Sequence, residues 1–146
     1  MGEMAEHRVL LVDDEVEFTQ VLRERLEARG LHVDTAASGE EALQVATSRS
    51  FDAILLDLAM PGMDGIETLK RLRATNPDLQ IILLTGNATV GLSVEAMKLG
   101  AVDLLEKPAD LKQVLRKIDE ASARKGELAQ QRLDEQLTDI LRRRGW

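Results

Sequence analysis

The chain has 146 residues, 44% hydrophobic, 31% charged and 2% aromatic, a length and balance that suit one water-soluble domain with a sizeable core and leave no room for a second full one. The complete absence of cysteine excludes a disulfide framework and a thiolate metal site, and nothing argues for an oxidising compartment. A formal net charge of -7 disfavours nonspecific attraction to nucleic acid or to an anionic membrane, and favours a cation or a basic partner.

Met1 to Leu11 lacks the basic start and long apolar stretch of a secretory signal, and no segment approaches membrane-spanning length, so a cytoplasmic location is expected. Val9, Leu10, Leu11 and Val12 form the unbroken apolar run of a first strand buried on both faces. Val16 to Arg29 carries Phe18, Val21, Leu22 and Leu26 at helical spacing, with Gly30 where a helix commonly ends. Leu31 to Ala36 reads as a second strand. Ser38 with Glu41 three residues on is a capping-box signature for a helix reaching about Ser48. Ala53 to Asp57 is the third strand, ending in the breaker-rich stretch Met60 to Gly65, and a helix with Ile66, Leu69 and Leu72 runs to Pro77. Ile81 to Thr85 repeats the buried-strand pattern, a helix from about Val90 to Leu99 stops at Gly100, and a short strand follows at Val102 to Glu106. Asp110 with Gln113 is expected to cap a final long helix. Five strands alternating with five helices imply an α/β fold, a parallel sheet with right-handed crossovers and helices on both faces.

Asp13, Asp14, Asp57, Thr85 and Lys107 all stand at the carboxyl ends of apolar runs. Open α/β sheets bind ligands in the crevice outside those ends, so residues scattered along the chain are expected to converge on one site. Three carboxylates gathered there repel, at about 4 kcal/mol per pair for ~4 Å and an effective dielectric near ~20. A cation resolves this, and hard oxygen ligands without histidine or cysteine select magnesium or calcium over zinc; a site that keeps waters and expects a phosphate selects magnesium. Lys107 supplies a fixed positive charge and Thr85 a hydroxyl donor for the oxygens of a phosphoryl group, with Asp57 the best nucleophile candidate.

Val9 to Asp14, Leu55 to Gly65, Leu83 to Gly86 and Gly100 to Pro108 together resemble the receiver domain of two-component response regulators, over roughly Arg8 to Lys117. The resemblance implies a doubly wound, flavodoxin-like sheet of order 2-1-3-4-5. It implies that Asp57 takes a phosphoryl group from a phosphohistidine of a sensor histidine kinase, from a phosphotransfer protein, or slowly from a small phosphodonor, and later loses it to water. Asp14 and Asp57 would coordinate magnesium directly, Asp13 through water, and the backbone carbonyl of Ala59 would complete the protein ligands. Lys107 matches the phosphate-contacting lysine, Thr85 the switch hydroxyl and Gly86 the small residue that leaves access; the bond to Pro108 is typically cis. Two positions depart from the pattern or leave it open. Leu104 stands where the family usually has an aromatic, which routes coupling through Thr85 and the loop Gly86 to Thr89. Ala59 and Asn87 occupy positions that tune dephosphorylation.

Each element also has a structural explanation. An acidic pair before a helix favours its N-terminus through the dipole, and Arg142 to Arg144 suits a helix C-terminus for the same reason. Gly62 and Gly65 are turn residues, since no lysine follows at P-loop spacing. His7 and His32 are isolated, so surface or structural roles are expected for them. An enzyme is not expected: a phospho-aspartate phosphatase of the haloacid dehalogenase type places a second aspartate two residues after the nucleophile, and Ala59 stands there. The intact acidic pocket argues against a purely constitutive adaptor. A stand-alone receiver acting on a downstream protein, and a receiver fragment of a longer transcriptional regulator, both remain open. No DNA-binding domain is expected within these 146 residues, and direct DNA contact by them is not expected.

Beyond a receiver of residues 1–125, Leu128, Leu133, Leu137, Ile140 and Leu141 continue an apolar pattern with no domain left to bury it. Residues 126–146 are therefore expected to form a helical extension that self-associates as a homodimer or docks another protein. A frayed tail and a linker stub are the structural alternatives. Gly126 costs about 1 kcal/mol in a helix interior, so a hinge or a second helix is expected there.

Overall fold

The computed structural model describes residues 7–60, 65–86 and 90–145. Gly62, Asn87 and Thr89, all singled out by the sequence, and the last residue of the expected 126–146 extension lie outside the described residues. Five strands, β1 (Arg8–Val12), β2 (His32–Ala36), β3 (Ala53–Asp57), β4 (Ile81–Thr85) and β5 (Asp103–Glu106), form one parallel sheet of order β2-β1-β3-β4-β5. Between them run α1 (Val16–Glu27), α2 (Gly39–Ser48), α3 (Gly65–Thr75) and α4 (Val90–Lys98), and α5 (Leu111–Arg143) follows the last strand.

The unbroken apolar runs are explained by the two sets of helices they serve. Side chains alternate across a strand, so Leu10, Val12, Ile54, Leu56, Ile81 and Leu83 point to one face, where Ala42, Ile66, Leu69, Leu72 and Ala96 of α2, α3 and α4 cover them. Val9, Leu11, Ala53, Leu55, Ile82, Leu84 and Leu105 point to the other, under Leu22 and Leu26 of α1 and Val114, Ile118 and Ala121 of α5. Both faces are dry, so neither β3 nor β4 keeps an exposed residue.

Local chemistry sets the element ends. Ser38 Oγ accepts from the Glu41 amide at 3.2 Å, and Glu41 Oε2 accepts from the Ala37 amide at 3.3 Å, so the expected capping box is reciprocal but reaches one residue further back. Gly30 (φ 92°) and Gly100 (φ 113°) take the left-handed conformation that closes α1 and α4.

Three expectations are corrected. Val21 is exposed and Phe18 only half-buried, the packed face of α1 being Thr19, Leu22 and Leu26. Asp110 precedes α5 in extended conformation but makes no side-chain cap bond. No hinge or second helix occurs at Gly126: α5 is a single helix of 33 residues. Tethers on both sides of the glycine offset its cost of about 1 kcal/mol. Lys125 Nζ donates to Ser50 Oγ at 2.9 Å and Arg132 Nη2 to Asp78 Oδ1 at 2.9 Å. A Cβ at Gly126 would meet nothing within 4 Å. Among the described residues, no helix is long and apolar enough to cross a membrane.

Candidate functional site

The order β1-β3-β4-β5 brings four strand ends side by side, and the polar residues that interrupt the apolar runs follow them to one edge. The register fixes Asp57 opposite Leu84 and Thr85 opposite Glu106. Two backbone bonds extend the ladders past the strands: Asp13 N donates to Ala36 O at 3.0 Å and Lys107 N to Thr85 O at 2.8 Å. The Lys107–Pro108 bond is cis.

Asp13, Asp14 and Asp57 each present a carboxylate oxygen, all within 4.8 Å of one another. Asp13 and Asp57 are buried, at 2% and 5% exposure, while Asp14 opens to solvent. The donor set is entirely carboxylate oxygen, the chemistry that a hard divalent cation takes, and it fits magnesium better than a transition metal. Asp57 Oδ1 accepts from the Ala59 amide at 3.0 Å, and Asp13 Oδ1 from the Glu15 amide at 2.9 Å, which orients both acids.

Lys107 projects into this cluster. Its Nζ is 2.7 Å from Asp13 Oδ2, 2.6 Å from Glu15 Oε1 and 3.6 Å from Asp57 Oδ2, and it lies 4.7 Å over the centre of the Phe18 ring. Burial opposes its charge, but hydrogen bonds to Asp13 and Glu15 and the charges of Asp13 and Asp57 outweigh that, holding Lys107 at about 12. Burial pushes Asp13 up to about 6 and the Asp57 charge adds to the rise, against the pull of Lys107 and the Glu15 amide.

The structure thus brings together Asp13, Asp14, Asp57 and Lys107. Thr85 sits at the adjacent strand end, buried, its hydroxyl donating to the Leu105 carbonyl at 3.3 Å. Ala59 lies two residues past Asp57, and a Cβ at Gly86 would meet nothing within 4 Å. Leu104 faces solvent on β5. Among the described residues, neither His7 nor His32 joins the carboxylate cluster. Sequence reasoning missed Glu15 and Phe18, both at the start of α1. The only available signal for Glu15 was that the acidic run continues to a third residue, and a helix dipole accounts for that equally well.

Gly65 acts through close approach rather than turn geometry: a Cβ there would lie 2.4 Å from Leu58 Cα and 2.9 Å from the Asp57 carbonyl oxygen. The start of α3 therefore packs directly on the backbone that carries Asp57.

The sequence model of the response regulator receiver domain matches residues 9–119. The chain is 38% identical over 115 residues to the transcriptional regulatory protein ZraR of Escherichia coli O157:H7, covering 79% of this chain and 26% of that one. It is 42% identical over 107 residues to the C4-dicarboxylate transport transcriptional regulatory protein DctD of Pseudomonas aeruginosa, covering 71% and 22%. The chain thus spans about a quarter of the length of these relatives. Among solved structures, a response regulator receiver domain protein from Clostridium thermocellum superposes with a TM-score of 0.81 at 32% identity, covering 84% of this chain and 99% of that one.

Proposed function

The chain belongs to the response regulator receiver domain family, and from that premise we propose that Asp57 accepts a phosphoryl group from a phosphohistidine of a sensor histidine kinase or phosphotransfer protein in the cytoplasm. One observation carries this: a buried aspartate set between two further aspartates and a lysine ammonium at the edge where an open α/β sheet takes ligands.

Each residue then has a task. A carboxylate oxygen of Asp57 forms the new O–P bond while the donor N–P bond breaks, its electron pair leaving on the imidazole nitrogen, which takes a proton from water. Lys107, held charged beside Asp57, neutralises a phosphoryl oxygen. The Thr85 hydroxyl, on leaving the Leu105 carbonyl, donates to another. Magnesium, held by Asp13, Asp14, Asp57 and the backbone carbonyl of Ala59, supplies when bound the positive charge that the carboxylates and the phosphoryl group require. Attack of water on phosphorus later restores the carboxylate and releases phosphate. The changed surface signals to a downstream protein.

Intact mass after treatment with acetyl phosphate and magnesium tests the assignment. One phosphoryl group is expected on the parent and none on Asp57→Asn or after chelation. A phosphoryl group that persists in Asp57→Asn refutes it.

A specific observation favours a second, compatible reading, that this receiver is the regulatory portion of a longer transcriptional regulator: the matched segment makes up only 26% and 22% of the two relatives. In either case residues 126–146 serve as an extension of the receiver that self-associates or docks another protein, supported by exposed Leu133, Leu137 and Ile140 on one side of α5. Light scattering with and without beryllofluoride tests the first option, and a monomeric mass in both states leaves only heterologous docking.

A further inference from the structure

Three anions meet one ammonium at this edge, and the two nearest to it are not the phosphoacceptor. Lys107 Nζ is 2.6 Å from Glu15 and 2.7 Å from Asp13, but 3.6 Å from Asp57, beyond a normal hydrogen bond. Asp13 belongs to the carboxylate cluster, whereas Glu15 does not, and its side chain is 62% exposed.

Helix stability does not explain Glu15 either. It holds the N-cap position of α1 in extended conformation, where serine, threonine, aspartate or asparagine would accept the free amides of the first turn. Its side chain makes no such bond and reaches instead to a residue 92 positions away. Phe18, one turn further along the same helix, places its ring under the same ammonium at 4.7 Å. Glu15 and Phe18 together form a cradle at the start of α1 that holds the Lys107 ammonium nearer to Glu15 than to Asp57.

Building on the phosphoacceptor reading above, we propose that Glu15 is a positioning residue that competes with the phosphoryl oxygens for the Lys107 ammonium, and so sets how readily Asp57 gains the group. When acetyl phosphate is the donor, the Asp57 oxygen bonds to phosphorus as the P–O bond breaks and its electron pair leaves on acetate. The phosphoryl oxygens then need the Lys107 charge that Glu15 already engages. Removing the Glu15 charge leaves Asp13 as the one anion of the three still close to that ammonium, so it is given up more readily to the phosphoryl oxygens and the transfer speeds up.

The test is a double-mutant cycle on the full chain: rates of phosphorylation by acetyl phosphate with magnesium, followed by intact mass against donor concentration, for the parent, Glu15→Gln, Lys107→Ala and the pair. Exposed ion pairs are weak, so Glu15→Gln should raise the rate about two- to fivefold, with an unchanged thermal midpoint. In the Lys107→Ala background the same substitution should change nothing. A rate for Glu15→Gln equal to or below that of the parent overturns the proposal. An equal gain in both backgrounds also overturns it, because Glu15 would then act only by repelling an anionic donor. No labelling of the parent would defeat the phosphoacceptor reading itself, whereas labelled parent with no gain in Glu15→Gln defeats the role of Glu15 alone.

Discussion

Two glycine-to-alanine substitutions should move stability in opposite directions. At Gly65 the new methyl carbon would stand 2.4 Å from Leu58 Cα and 2.9 Å from both the Leu58 carbonyl carbon and the Asp57 carbonyl oxygen. Carbon atoms rest at about 3.5 to 4.0 Å, so the first contact must open by roughly 1 Å. The atoms it meets are backbone at the exit of β3, and Leu58 is buried in the core, so the strain falls on the start of α3. Overpacking of this kind costs about 1 to 3 kcal/mol. At Gly126 a methyl group meets nothing within 4 Å in the interior of α5, and alanine should stabilise the helix by about 1 kcal/mol. Urea unfolding followed by far-ultraviolet circular dichroism checks both. The midpoint should fall in Gly65→Ala, with the urea dependence of the unfolding free energy unchanged, and it should hold or rise in Gly126→Ala with added helicity. Gly65→Ala should also slow Asp57 phosphorylation, because the displaced backbone carries the acceptor. A Gly65→Ala chain as stable as its parent would show that α3 slides at no cost and that close packing on Asp57 is not required. Lost helicity in Gly126→Ala would contradict a continuous α5.

Without divalent metal, Asp13 should destabilise the fold at neutral pH. Its carboxyl rises from 3.8 to about 6, so the folded chain binds a proton that the unfolded chain has already released; the associated stability is present below pH 3.8 and lost as pH rises through 6. Asp13→Asn should therefore be more stable than the parent in chelator at pH 8, and the gain should vanish near pH 4 in urea titrations; a gain independent of pH would remove burial of charge as its cause. Millimolar magnesium should stabilise the parent, by about 2.7 kcal/mol at a hundredfold excess over the dissociation constant, and so raise its thermal midpoint, and Asp14→Ala should abolish the shift. An unshifted parent, or an undiminished shift in Asp14→Ala, refutes the metal site.

What the sequence made legible follows from where burial is complete. Ala53–Asp57 and Ile81–Thr85 read correctly to the residue because a parallel strand dry on both faces admits no polar interruption until it ends. The same rule marked Asp13, Asp57 and Thr85, each the first polar residue after such a run, whereas Lys107 follows Glu106 on the shorter and partly exposed β5. Strand order was not legible, since five similar apolar runs do not say which is central; it came from resemblance. Helix faces were ambiguous for a related reason. Phe18 and Val21 have helical spacing with Leu22, yet the sheet beneath α1 covers only one arc, and Val21 falls outside it. Glu15 was hidden because its partner, Lys107, is distant in sequence, and nothing local distinguishes an acid that reaches across from one that favours a helix start. Gly126 misled because an intrinsic cost of about 1 kcal/mol does not by itself interrupt a helix of 33 residues that also contacts Ser50 and Asp78 on either side of it.

The unbroken course of α5 gives it the geometry of a pushrod. At 33 residues it is about 50 Å long, against about 17 Å for a five-residue strand, so it outreaches the sheet roughly threefold. It begins four residues after Lys107 and is tied by Lys125 and Arg132 to Ser50 and Asp78, which precede β3 and β4 at the opposite edge. A helix held at both edges moves as one body. A tilt of about 5° over its length displaces one end by roughly 4 Å relative to the other, given a rise of ~1.5 Å per residue. Sub-ångström adjustments around Lys107 therefore have a mechanical route to the exposed leucines at the far end that no flexible loop interrupts.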